Sequence, residues 1–198
     1  MEKMKKIILA SQSPQRKLLM DSIGIDFEVM PANIDEKTVV ENNQKIRAQK
    51  IAKAKADYIF TDFPEAIIIA ADTFTMFNNK AYEKPESMEE AKQMLSEQSG
   101  QTGYCYSGFA YIDKQNNINI SDIAVTEILF RQLSDFEINK YVTENPVLTW
   151  SAGFCPAYPA GANLIATIKG SFTSFTHGMP MEILMPLLER SGVLNEVE

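Results

Sequence analysis

The chain has 198 residues, 45 % hydrophobic and 23 % charged, a globular composition long enough to bury an ordinary core without disulfides. Its formal charge of −7 and pI near 4.9 exclude a surface for long nucleic acid, which needs a basic face, but leave room for a mononucleotide, which needs only a few local cations. Two cysteines, Cys105 and Cys155, with a single histidine, His177, exclude a Cys/His zinc site or a cysteine–histidine pair. Both thiols are expected to be small buried hydrophobes, and His177 a loop residue. No run approaches the roughly 18 apolar residues of a membrane span. The basic start MEKMKK leads into an apolar stretch, Ile7–Ala10, too short for a signal peptide. A cytoplasmic protein with no membrane partner is expected.

Ile7–Ala10 reads as a strand that stops at Ser11-Gln12-Ser13-Pro14. Pro14–Ile23 then reads as a helix, with Ser13 as N-cap, Pro14 in the first position and Gly24 closing it. Arg16 and Lys17 sit in its first turn, where the helix's own partial positive charge disfavours cations. Free N–H groups, the hydroxyls of Ser11 and Ser13 and a guanidinium would converge there on a phosphate; the cap alone explains the same turn without a ligand. Phe27–Met30 is a second short strand, followed by an acidic loop, Asn33-Ile34-Asp35-Glu36, and a long helix over roughly Val39–Thr61. On that helix Ala48, Ile51, Tyr58 and Ile59 form an apolar stripe, while Arg47, Lys50, Lys53 and Asp57 lie on its flanks or behind it. Lys55 falls near the middle of the stripe, so its ammonium must snorkel outward or meet an anion.

Glu65–Thr73 is a continuous apolar strand of the kind buried on both faces. Asp72 is read as its end, where α/β sheets gather ligands; capping of the next turn is the other reading. Phe74–Phe77 leads to a turn at Asn78-Asn79, and Pro85 stiffens the loop that presents Lys84. Ser87–Glu97 reads as a helix capped by Ser87, with Glu90 in the capping-box position. Gly103–Ile112 and Ile118–Val125 form a hairpin, with Glu127–Arg131 continuing as strand. Asp135–Val142 is a helix begun at Ser134 and broken by Pro146. A loop at Pro156–Gly161, a strand at Asn163–Ile168, an edge strand or loop at Gly170–Gly178 and a closing helix at Met181–Ser191 complete an α/β fold with a mixed sheet.

Ser11, Ser13, Arg16, Lys55 and Lys84 supply hydroxyls and cations for phosphates, and Glu36 and Asp72 supply carboxylates for a divalent metal or for water. A phosphate-anhydride hydrolase needs both kinds. No GxxxxGK[ST] loop is present, so it would not be a P-loop enzyme.

With these residues in place, the sequence resembles the Maf family of nucleoside triphosphate pyrophosphatases. LASQSPQR (9–16) is similar to its LASxSPRR, IDE (34–36) to its DE loop, AKAKA (52–56) to its AxxKA, and AADT (70–73) to its aspartate strand. EKP (83–85) resembles its KP turn, SGQTGYCYSG (99–108) its SGRxHxVxTG, AGF (152–154) its AGAY, and KGSFTSFTHGMPM (169–181) its GSYxNVxGLP. The resemblance implies one Maf-like domain over 1–198, with an elongated mixed sheet flanked by helices and two lobes around a cleft, as in the inosine triphosphatases. It implies that Ser11, Arg16, Lys55 and Lys84 contact phosphates and that Glu36 and Asp72 bind Mg²⁺ or Mn²⁺ or activate water. The implied reaction takes a noncanonical or pyrimidine-type triphosphate to the monophosphate and pyrophosphate, and a homodimer is left open.

Four positions depart from the family pattern: Gln15 replaces an arginine, Gln101 and Gly103 replace the arginine and histidine of SGRxH, and Tyr158-Pro159 stands where a glutamine is usual. Loss of one cation should weaken phosphate binding while Arg16 remains, and the other changes should reshape the pocket. They motivate a second hypothesis, a weak or inactive nucleotide-binding regulator linked to division. A phosphatase or sugar-nucleotide enzyme on a similar fold is a third.

Overall fold

The computed structural model describes residues 5–194; the first four residues of the basic start lie outside it. One mixed sheet carries seven strands: β1 (Ile7–Leu9), β2 (Glu28–Val29), β3 (Ile67–Phe77), β4 (Lys80–Tyr82), β5 (Thr102–Asp113), β6 (Ile118–Phe130) and β7 (Ile165–Lys169). Their order is β2-β1-β3-β5-β6-β7, with β4 paired to the far part of β3. β1 runs parallel to β2 and β3, and the other pairings are antiparallel. The helices are α1 (Pro14–Asp21), α2 (Gln44–Asp62), α3 (Met88–Gln98), α4 (Asp135–Glu144), α5 (Pro159–Ala162), α6 (Phe172–His177) and α7 (Met181–Arg190).

Local chemistry accounts for most of these boundaries. Asn78 and Asn79 both take positive φ, 49° and 61°, the backbone of a tight two-residue hairpin turn that Asn tolerates. Ser134 and Glu137 form a reciprocal capping box at α4, whereas at α3 only half of one forms. There Ser87 accepts from the Glu90 amide, but the Glu90 carboxylate takes the amide of Glu86. The core divides into three clusters. Ile8, Ile68 and Ala70 pack against Ala52, Ala56 and Ile59 of α2 on one face. Ile7, Leu9, Ile67 and Ile69 pack against α1 and α7 on the other. The far end of the sheet is buried by α3, α4 and α6 around Phe77, Phe130 and Phe154. Two lobes result, with β3, β5 and β6 passing through both.

Several expectations need correction. The long helix begins at Gln44, not Val39, because Asn43 caps it by accepting from the Lys45 amide; Val40 ahead of it is exposed. Its stripe is completed by Ala52 and Ala56, while Tyr58 turns to solvent. Asp72 does not end its strand, which continues through Thr73 to Phe77. Gly170–Gly178 contains the helix α6 and no strand, so His177 closes a helix and is not a loop residue. The stretch 156–161 contains the start of α5, the following strand begins at Ile165, and β6 is unbroken from Ile118 to Phe130.

Candidate active site

β1 is short, and that shortness makes the site. β1 pairs with β3 only from Ile67 to Ile69, and β4 takes up the same side of β3 only from Thr75 to Phe77. Between them the edge of β3 has no partner strand among the described residues, and a cleft of about 930 Å³ opens across it. Asp72 therefore sits where a neighbouring strand ends, in the middle of its own. Side chains alternate along β3, so Asp72 and Phe74 look toward α2 and Thr73 toward α1 and α6.

From the α2 face, Lys55 Nζ reaches Asp72 Oδ1 at 2.7 Å and Glu36 Oε1 at 2.7 Å. The lysine that breaks the apolar stripe is thus nearly buried between two carboxylates. Gly108 lies opposite Asp72 on β5, and a Cβ there would collide with the Ala48 backbone. Only glycine lets α2 come close enough for this contact. Asp72 Oδ2, by contrast, is buried with no donor among the described residues.

From the opposite face comes Arg16, itself buried. Its Nε donates to the Gly178 carbonyl at 3.1 Å, Nη1 to Ser11 Oγ at 3.0 Å and Nη2 to Thr73 Oγ1 at 3.1 Å. Of the five guanidinium N–H donors, three are committed to the protein and two remain. Burial pulls its pKa below the ordinary value, opposed by the charges of Asp72 and Glu36. Lys17, its neighbour, points away and pairs with Asp21. Ser13 caps α1 by accepting from the Arg16 amide, and its own amide bonds Ser11 Oγ at 3.2 Å.

Ser11, Ser13, Arg16, Glu36, Lys55, Asp72 and Lys84 all line this one cleft. Lys84 lies exposed at its rim and makes no ion pair among the described residues. Among the further lining residues that sequence reasoning missed are Arg47, Thr73, Phe74 and Trp150. Arg47 precedes Lys55 by a little over two helical turns, a signal that was available. Thr73 and Phe74 directly follow the aspartate, but only the open sheet edge makes them cleft residues, and Trp150 arrives from a loop distant in sequence. The thiols are buried as expected. Both line the cleft wall, and burial pushes Cys105 up to about 11, which keeps it neutral. His177 is held below its ordinary value by burial.

A family model described as Maf-like protein matches residues 6–191. The chain belongs to the Maf-like family. This Maf-like chain is 35 % identical over 194 residues to the dTTP/UTP pyrophosphatase of Pyrococcus furiosus, covering 98 % of this chain and 100 % of that one. It is 31 % identical over 189 residues to the protein of the same name from Syntrophus aciditrophicus, covering 96 % and 91 %. A solved structure described as a HAM1 protein from Coxiella burnetii is similar at 17 % identity and a TM-score of 0.46, covering 94 % of this chain and 99 % of that one.

Two departures from the Maf-like pattern fall outside the cleft lining. Gln101 is exposed, and Gly103 lies under the Phe77 ring, which occupies the space a Cβ would need. The other two bear on the cleft. Gln15 lines it, accepting from Ser13 Oγ at 3.2 Å, and Tyr158 stacks on the cleft residue Trp150 with ring centroids 5.4 Å apart.

Proposed function

We propose that this chain hydrolyses pyrimidine nucleoside triphosphates, dTTP and UTP foremost, between the α and β phosphates. Family membership and the names of its relatives support the reaction class. The observation that carries the reading to these residues is Lys55 held between Glu36 and Asp72, with Asp72 Oδ2 left buried and unpaired. An orphaned acceptor of that kind costs about 1–3 kcal/mol, which a bound ion or water would remove.

The donor set suits Mg²⁺ or Mn²⁺. Such ions are held by one or two carboxylates and complete their coordination from water and substrate phosphate. Among the described residues no group of three or more His, Cys, Asp or Glu side chains could hold an ion by itself. Glu36 and Asp72 would therefore share it with the nucleotide, and the ion would supply neutralisation of phosphate charge.

The remaining work falls to the chain. Ser11, Ser13 and the two spare donors of Arg16 bind phosphate oxygens at the start of α1, and Lys84 closes on them from the rim. Asp72, fixed by its place inside a long strand, is the better base than the exposed Glu36, because a positioned carboxylate loses no time in alternative rotamers. It takes a proton from water as the water oxygen bonds to the α phosphorus. The bond from that phosphorus to the bridging oxygen breaks, pyrophosphate leaves with the bridging oxygen, and the proton passes to solvent.

A regulator without turnover would need the departures to strike the carboxylate–lysine set, which is intact. The test is a panel of canonical and modified triphosphates with Mg²⁺ or Mn²⁺, reading pyrophosphate and orthophosphate separately. Pyrophosphate from UTP and dTTP is expected; orthophosphate alone, or tight binding without product, overturns the reading.

A further inference from the structure

We propose that Arg47 is the positioning residue that fastens the Glu36 loop onto the cleft, an inference that rests on the use of Glu36 in the proposed reaction. Glu36 begins a single 3-10 turn, Glu36–Thr38, whose own side chains are all exposed, with Asp35 exposed before it and Val39 half-buried after it. Such a loop buries too little apolar surface to hold itself in place. Arg47, half-buried on α2, reaches both ends of the turn. Its Nη2 donates to the Glu36 carbonyl at 3.4 Å and its Nε to the Val39 carbonyl at 3.2 Å. Its Nη1 meets Gln44 Oε1 at 3.5 Å. The guanidinium lies 5.1 Å from the centre of the Phe74 ring, two residues beyond Asp72 on the same face of β3.

One planar group thus ties the backbone that carries Glu36 to the helix that carries Lys55 and to the strand that carries Asp72. Only arginine combines a fork that donates in two directions with a flat face that stacks on an aromatic ring. A further tie, Lys50 with Glu41 at 2.8 Å, joins an exposed lysine to a half-buried carboxylate at the surface farther along the loop and is worth little. Among the described residues the Glu36 carboxylate is held by Lys55 alone, so without Arg47 the carboxylate is tethered by one flexible contact at its tip.

The experiment compares Arg47→Met, which cannot donate, and Arg47→Lys, which keeps the charge without the fork. The first readout needs no substrate: hydrogen exchange at the amides of Thr38, Val39 and Val40. Exchange there is expected to rise about tenfold or more in Arg47→Met and nearly as much in Arg47→Lys, with β3 and α2 unchanged. The second is a double-substitution cycle in kcat/KM with Glu36→Gln. Glu36→Gln should cost several-fold less in the Arg47→Met background than in the parent, because a carboxylate that is no longer positioned has less to lose. Unchanged exchange in the loop, or strictly additive kinetic effects, overturns the proposal. A parent protein that releases no pyrophosphate defeats the functional reading instead, and the exchange measurement then still decides whether Arg47 holds the loop.

Discussion

Arg16 offers a perturbation whose two consequences can be measured apart. In Arg16→Lys the charge stays, but one ammonium cannot serve three acceptors that lie around a planar fork. Two of those acceptors have other partners: Ser11 Oγ accepts from the Ser13 amide at 3.2 Å, and Thr73 Oγ1 lies 3.2 Å from Ser107 Oγ. The half-buried Gly178 carbonyl loses its Arg16 contact outright, and an acceptor stranded away from water costs about 1–3 kcal/mol. For a chain of this length the thermal midpoint should fall by roughly 2–12 °C. The two uncommitted donors of this cleft-lining side chain are lost at the same time, and UTP affinity should weaken by about tenfold or more. Calorimetry without ligand and titration of UTP at a temperature well below the transition separate the two effects. Lys17→Ala, one residue along, whose ammonium pairs with Asp21 and lies over the Phe27 ring at the surface, is the control and should alter neither appreciably. An Arg16→Lys midpoint within a degree of the parent would refute the structural half of the reasoning, and an unchanged affinity the other half.

Asp72→Asn should cut turnover by about 10²–10⁴-fold while the protein stays folded and still binds nucleotide; near-parental rates in metal-saturated buffer would move the proton transfer to Glu36. Gly108→Ala pushes a methyl group into the Ala48 backbone and should cost about 1–3 kcal/mol or more, with activity falling as α2 carries Lys55 away from Asp72. A variant with parental stability and rate would show that α2 has room to move. His177 titrates below 6.5 because burial disfavours its charged form. The unfolded chain therefore binds more protons between the two values, and stability should fall as pH drops through 6.5. The ring resonances of this sole histidine report the midpoint directly, and His177→Gln should flatten that part of the stability profile; a midpoint at or above 6.5 contradicts the burial argument.

How much of this could be read from the sequence depends on the range of the interaction that decides each feature. Lys55 was legible because helical periodicity is local: a lysine inside a stripe of small apolar residues needs an anion wherever the helix goes. The cap at Ser13 and the box at Ser134 were legible for the same reason. Asp72 lines the cleft for a reason other than the strand end the sequence suggests. Its strand does not end there; its neighbour does, and no pattern in residues 65–77 records where β1 stops. The segment 170–178, rich in Phe and Thr, favours an extended chain. It becomes helix α6 because Ser171 caps its start, Gly178 takes φ 69° at its end, and Phe175 is buried among the aromatics of the far lobe. Arg47 looked like a flank residue because its partners, the Glu36 and Val39 carbonyls and the Phe74 ring, come from segments that only the fold brings together.

The long strands have a mechanical consequence. β3 pairs with β5 at ten successive positions, Ile68 to Phe77, and β5 with β6 at twelve, Thr102 to Asp113. The two halves of the molecule are therefore joined by a stiff beam. Bending it enough to bring the walls together would shear a ladder of main-chain hydrogen bonds, unlike the turning of a short hinge. The spacing of the two halves is set by this ladder rather than by a hinge. On the proposed reading, adjustment to a particular base falls to the short segments hung from the beam's rim, around Glu36, Lys84 and Trp150. Substitutions there can retune which nucleotide fits without disturbing the frame that holds Asp72.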